Sequence, residues 1–248
     1  VIDEIGAGYS TVAGAAVVLV AAPVRKMREI FSGIAPYLEA DALIIDAGST
    51  KSDVVAAARE SLGVATARFV PCHPIAGRER SGVTAADREL FVARQVVITP
   101  IAENSAEIVN RATLMWNACG AFTCEMSPGA HDAVFAAVSH LPHLLAFALV
   151  DELASRPNAK TLFSHAASGF RDFTRIAGSS PEMWRDIALN NREALIAEMD
   201  RYLAHASTLR DAVAQGDAVA LETIMFRARE AREKWMAGEL DHFNDEAA

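Results

Sequence analysis

Cysteine is scarce in this chain: three in 248 residues, at Cys72, Cys119 and Cys124, with no metal-ligand spacing between them. That excludes a disulfide framework and a zinc ribbon and points to a reducing, cytoplasmic setting. Basic charge is also short. Lys and Arg number 23 against 32 Asp and Glu, a net charge of -9, which argues against nucleic acid or an anionic membrane as partner. An anionic small molecule stays open, because one local arginine can serve it. No apolar run approaches the roughly 18 residues of a membrane span, and no basic region leads into an apolar stretch at the N-terminus. A Gly-x-Gly-x-x-Gly loop is missing too. The nearest candidate, Gly6-Ala7-Gly8-Tyr9-Ser10-Thr11, lacks the third glycine and precedes a strand instead of following one.

What is present suits a well-packed enzyme core. Hydrophobic residues make up 52% and charged residues 22%, which excludes a disordered chain and fits one large domain or two modest ones. Ala15–Ala22, ended by Pro23, and Ala42–Ser49 read as strands buried on both faces of a parallel sheet. Arg68–Val70, Gln95–Thr99 and Ala121–Glu125 read as further strands. Val24–Leu38, Lys51–Leu62 and Glu103–Cys119 read as helices between them. This alternation implies right-handed crossovers and a doubly wound sheet.

The period changes near Ser127. Ala130–Leu153 reads as one long, buried helix kinked at Pro142. Ser179-Ser180-Pro181-Glu182 is a helix start, with a serine cap and proline in the first turn. Leu189, Ile196, Met199, Leu203 and Ala206 recur at helical spacing, and Asp217–Met236 gives a last helix. The expected fold class is α/β: an N-terminally incomplete Rossmann-type parallel sheet over 1–127, then an all-α part over 128–248. The chain is expected to begin after the second strand of such a sheet. Without the glycine loop's N–H groups, these residues alone should hold a dinucleotide poorly.

The most informative stretch is Phe69-Val70-Pro71-Cys72-His73-Pro74. Two prolines end the strand ladder, so His73 should stand on a stiff turn at the sheet's lip. In open parallel sheets ligands bind outside the carboxyl ends of the strands, and a histidine there can act as acid or base near neutral pH. On residue type alone, Ser49 is as readily a strand-end cap, Trp184 a packing residue, and His140 and His143 core histidines. Those two sit three apart with no third ligand, so no metal is expected.

Four motifs in order, Asp46-Ala47-Gly48-Ser49-Thr50-Lys51, His73-Pro74-Ile75-Ala76-Gly77, Ser139-His140-Leu141-Pro142-His143 and Gly169-Phe170-Arg171-Asp172-Phe173-Thr174-Arg175-Ile176-Ala177, resemble the prephenate dehydrogenase family, which includes arogenate and cyclohexadienyl dehydrogenases. The resemblance runs from Val1 to about Trp235. It implies NAD(P)-dependent oxidative decarboxylation of prephenate or arogenate by a homodimer joined through its helical part. It also implies site residues. His73 matches the base on the substrate hydroxyl, and Ser49 a hydrogen-bonding partner near that hydroxyl. Arg175 matches the arginine that grips a carboxylate. His143 and Glu79 match pocket residues, and Trp184 a tryptophan that reaches the neighbouring subunit's site. On the substrate side, Arg171 and Arg175 lie four apart and share a face if that segment is helical, with Asp172 placed to orient one of them. Ala22, Pro23, Gly48 and Ser49 edge the cofactor cleft, with NAD or NADP left open. Arg78 and Cys72 depart from the family's usual small residues. No chorismate mutase segment is visible.

The residues leave two other readings. A helical dimer with a degenerate sheet could act as a binding protein, though His73, Ser49 and Arg175 are all intact. A hydroxy-acid dehydrogenase would need a catalytic lysine in the helical part, and Lys160 and Lys234 lie in no suitable apolar motif.

Overall fold

The computed structural model describes residues 5–77 and 86–242. They build six strands and ten α-helices joined by short 3-10 turns. β1 (Val17–Val20), β2 (Leu43–Asp46) and β3 (Phe69–Val70) form a parallel sheet in that order. α1 (Met27–Ile34) and α2 (Ser52–Ser61) make its crossovers. β2 is buried along its whole length and serves two cores. Ile44 joins Met27, Phe31, Val54 and Phe69 on one face. Leu43 and Ile45 join Val96, Ile98 and Trp116 on the other, beneath α3 (Ala106–Ala118). This is the period-2 alternation of a strand covered on both sides. β1 departs from that expectation: Val18 and Val20 are buried, whereas Val17 and Leu19 are 42% and 45% exposed.

The second sheet corrects the expected geometry at His73. β4 (Cys72–Pro74) is a strand, not a turn, and it runs antiparallel to β5 (Gln95–Ile98), with His73 opposite Val97. β6 (Phe122–Glu125) then pairs parallel to β5. The prolines do not stop the ladder because neither is needed as a donor inside it. The Cys72 N–H points away from β5, to the Asp46 carboxylate at 2.9 Å. Two residues on, the Pro74 nitrogen faces the same way and is asked for no ladder bond. Pro71 takes part through its carbonyl, which accepts from Thr99 N–H at 2.9 Å.

The helical part opens at α4 (Pro128–Phe135), where the Ser127 side chain accepts the Ala130 N–H. A π turn over Ala136–His140 leads directly into α5 (Leu141–Ala154). The expected kink is therefore a π turn placed just before Pro142, whose missing N–H cannot serve the preceding turn. The run Pro128–Ala154 is 27 residues with mean hydropathy 1.9, long and apolar enough by length and composition to cross a membrane, contrary to the sequence reading. It is only partly buried, with Val138 68% exposed, and it carries His131, Asp132, His140 and His143 of the site described below. α6 (Ala159–Ser164), α7 (Ser168–Thr174) and α8 (Pro181–Asn190) follow. Ser180 caps α8 by accepting the Met183 N–H, as its sequence predicts. α9 (Arg192–Gln215) and α10 (Ala218–Ala237) come next, with a 3-10 turn over Leu240–His242 after them.

By packing, the chain falls into two compact units, Val1–Ile196 and Ala197–Ala248. The first contains both sheets and the whole of the cavity below. The second contains the rest of α9 and α10, where Leu203, Val213, Met225 and Phe226 are exposed.

Candidate active site

Two buried charges fix the strand that carries His73. Asp46 ends β2 and Lys51 precedes α2, and both are fully buried. The Lys51 ammonium donates to Asp46 and, at 2.7 Å, to the Cys72 carbonyl. Asp46 also accepts from Gly48 N–H at 2.8 Å and Cys72 N–H at 2.9 Å. Each charge therefore has several partners, which a buried ion pair requires. The backbone on both sides of the Cys72 α-carbon is pinned, and His73 is the next residue. Gly48 has no room for more: a Cβ there would stand 2.8 Å from Asp46 Oδ2 and 3.0 Å from Val24 Cγ1.

The His73 ring enters a cavity of about 850 Å3. Ser49, His143, Arg175 and Trp184 line the same cavity, with Phe135, Ile176 and Ile187 as apolar walls. Ser49 comes from the carboxyl end of β2, His143 from α5, Arg175 from the 3-10 turn after α7, and Trp184 from α8. The volume suits a small-molecule site, with few polar groups set among apolar ones.

Trp184 is buried at this chain's own cavity, stacked on His143 with centroids 3.5 Å apart and planes at 19°. Several expected site residues stand elsewhere. Asp172 is exposed on α7 and does not line the cavity. The helix ends at Thr174 and tightens to a 3-10 turn, so the regular helical face expected to join Arg171 and Arg175 is lost there. Ala22 and Pro23, which follow β1, and Gly48, which follows β2, were expected at the cofactor cleft and are not among this cavity's lining. Glu79 and Arg78 lie outside the described residues.

The sequence reading missed three polar partners. His73 Nδ1 lies 2.8 Å from His131 Nε2, and His131 Nδ1 lies 2.9 Å from Asp132 Oδ1. Asp132 also accepts the N–H groups of Lys51 and Ser52, both at 2.8 Å. Asn191, after α8, donates to the Asp132 carbonyl at 2.7 Å and to His140 Nδ1 at 3.1 Å. His131-Asp132 has no motif spacing of its own. The only available signal was its place one turn into a Ser127-capped helix.

Electrostatics keep these histidines neutral. Burial, then the Lys51 ammonium, holds His73 well below the ordinary histidine range. Burial brings His140 down to about 4 and lowers His131 and His143. Burial pushes Asp132 up, but hydrogen bonds from His131, Ser52 and Lys51 outweigh it, and the carboxyl falls below its usual range. A neutral imidazole at a cavity wall can take a proton, and a guanidinium in the same lining can hold a carboxylate.

The carboxyl ends of β1 and β2 lie side by side, in register from Val17↔Leu43 to Val20↔Asp46. Beyond them come Ala22, Pro23, Gly48 and Ser49, none large or charged. This is the edge at which open α/β sheets receive nucleotides, and the small side chains fit a flat cofactor ring laid against it.

Comparisons with known proteins agree with this arrangement. Residues 1–125 match the family model of the prephenate dehydrogenase nucleotide-binding domain, and 127–227 match that of the prephenate dehydrogenase dimerization domain. The cyclohexadienyl dehydrogenase of Zymomonas mobilis is 34% identical over 227 residues, covering 91% of this chain and 76% of that protein. The prephenate dehydrogenase of Bacillus subtilis is 36% identical over 233 residues, covering 93% and 62%. This chain therefore spans about three quarters and three fifths of those relatives. The crystal structure of prephenate dehydrogenase from Aquifex aeolicus, in complex with hydroxyphenyl propionate and NAD+, superposes with a TM-score of 0.87 at 35% identity, covering 94% of this chain and 82% of that one. Both halves of the chain match, and the chain belongs to the prephenate dehydrogenase family.

Proposed function

We propose that this protein oxidatively decarboxylates prephenate or arogenate, with NAD or NADP as the hydride acceptor, in tyrosine biosynthesis. The observation that carries this reading is His73, neutral and on a strand pinned by the Asp46–Lys51 pair, lining one cavity with Arg175 and Ser49. His73 takes the proton of the C4 hydroxyl. Ser49 hydrogen-bonds near that oxygen and orients it. Arg175 holds a substrate carboxylate, for which a planar guanidinium fork is suited. Phe135, Ile176 and Trp184 limit water around the ring. With a bound nicotinamide to accept the C4 hydrogen as hydride, loss of the ring carboxylate as carbon dioxide would send its bonding pair through the ring to the C4 oxygen, making the ring aromatic, and His73 would return the proton to that oxygen. Ala22, Pro23, Gly48 and Ser49 would hold the nicotinamide end of the cofactor, which supplies the acceptor for that hydride. His143 and Trp184 form a stacked wall beside the substrate. Glu79 is assigned to the substrate side by the family resemblance alone, and Asp172 by its place between Arg171 and Arg175 in sequence.

Residues 1–127 then serve the nucleotide, and 128–248 the substrate and a second subunit. A homodimer through the helical part is supported by the matched dimerization domain and by Leu203, Met225 and Phe226, which are exposed in the single chain. A cytoplasmic enzyme with no membrane or nucleic-acid partner fits the acidic balance. The test supplies prephenate and arogenate in turn, each with NAD or NADP. It follows reduced nicotinamide by absorbance and carbon dioxide by trapping. One equivalent of each per substrate is expected for at least one pairing. Absence of both products with every pairing would overturn the proposal.

A further inference from the structure

The histidine facing the cavity is not alone. Behind it runs a buried line from His73 through His131 to Asp132, and its last member is fixed by backbone. We infer that His131 is a positioning residue that, with Asp132, sets which ring nitrogen of His73 is bare and aims that nitrogen at the substrate. The inference deepens the proposed reaction and rests on it for the identity of the proton donor.

The argument starts at Asp132. Its two oxygens receive N–H groups from Lys51 and Ser52. A carboxylate held by two backbone donors at a helix start stays ionised and can only accept. His131 Nδ1, at 2.9 Å, must therefore carry the hydrogen and donate it. A neutral His131 then has a bare Nε2. That nitrogen faces His73 Nδ1 at 2.8 Å, and two bare nitrogens would repel at this distance. His73 Nδ1 must therefore be the donor, which leaves its Nε2 bare. Nε2 is the only ring nitrogen left to face the cavity, so the base is poised without any rearrangement.

The same line helps after the proton moves. A protonated His73 keeps its Nδ1–H on His131, whose far side is backed by the Asp132 carboxylate. The positive charge is thus met by a polarised hydrogen-bond chain in a site with little water. Phe135 packs on both rings, at 4.8 Å from His73 and 4.5 Å from His131, and this fixes their planes. Asn191 holds the backbone of the pair through the Asp132 carbonyl. Among the described residues, the other charged or titratable groups bearing on His73 are Lys51 and His140. Neither supplies an acceptor to its Nδ1. Oriented carboxylate–histidine pairs do this work for general bases elsewhere, with the carboxylate itself remaining ionised.

The test has two arms. The first needs no substrate: nitrogen NMR of ring-labelled histidine in the full-length protein at neutral pH, with His73 and His131 assigned through His73→Asn and His131→Gln. Both rings should show a protonated Nδ1 and a bare Nε2. A His73 ring protonated at Nε2, or an even mixture of tautomers, overturns the inference. The second arm compares variants. His131→Leu removes the acceptor and should lower kcat by about 10²-fold or more, with KM nearly unchanged. His131→Gln offers a side-chain oxygen to the same Nδ1–H and should recover most of that loss. Asp132→Asn can present a donor to His131 and reverse both tautomers, so it should match His131→Leu in kcat and in the NMR signature. Equal losses in His131→Leu and His131→Gln, with parental His73 tautomer in both, would mean a purely structural role and overturn the inference. The stated tautomers with no turnover of any substrate pairing would overturn the reaction and leave the arrangement of its base standing.

Discussion

Replacing Lys51 by Met tests the support beneath the site. Lys51 and Asp46 are both fully buried, so the pair cannot fall back on water when one member goes. The variant leaves a buried carboxylate with its two N–H donors, from Gly48 and Cys72, but without its counter-charge. It also strips the Cys72 carbonyl of the Lys51 donor. Breaking a buried pair by removing one side costs about 3–5 kcal/mol, and an orphaned buried carbonyl about 1–3 kcal/mol. The retained donors to Asp46 offset part of the sum, so a loss of about 4 kcal/mol is expected. Urea unfolding read by circular dichroism measures it, with an unchanged m-value indicating that only stability moved. Converting Asp46 to Leu as well should not restore the protein, because the Gly48 and Cys72 N–H groups would then be orphaned too. The Lys51 charge also depresses His73, so the acid limb of kcat in the surviving enzyme should move to higher pH. A stability loss below about 1 kcal/mol, or full rescue by the second substitution, would refute the claim that this pair anchors β4.

The remaining predictions use other parts of the site. Arg175→Gln should raise KM by roughly 30-fold to several thousand-fold, as expected when one side of a desolvated charge pair is truncated, with cofactor affinity little changed by calorimetry. Gly48→Ala forces a Cβ to within 3.0 Å of Asp46 and Val24 and should cost about 1–3 kcal/mol in the same unfolding assay. His140 titrates near 4 in the fold against an ordinary 6.5, so the unfolded chain binds the extra proton between those values. Its contribution, on the order of 3 kcal/mol, is complete above pH 6.5 and lost as pH falls towards 4. His140→Gln should therefore flatten that part of the stability–pH curve.

Much of this was legible in the sequence, for identifiable reasons. Continuous apolar runs ended by Pro23 and Asp46 announce parallel strands, and Ser180-Pro181 announces α8. Both are local signals that packing did not override. His73, Ser49, His143 and Arg175 reach one cavity because each sits at an element's end or on a helix face whose direction its neighbours dictate. The errors fall where a local rule met a tertiary one. Pro71 and Pro74 look like breakers, yet the Pro74 nitrogen faces away from β5 and Pro71 joins the ladder through its carbonyl. His131, Asp132 and Asn191 carried no spacing signal, because their partners lie 58, 80 or more, and 59 residues away in sequence.

The central claim is that His73 is the base, and His73→Asn tests it most directly. The variant's kcat with prephenate and NAD, and its prephenate affinity by calorimetry, should be measured beside the parent. The account predicts kcat lower by about 10²–10⁴-fold, affinity within a few-fold of the parent, and loss of the parent's acid-limb ionisation. Turnover close to the parent's would contradict it.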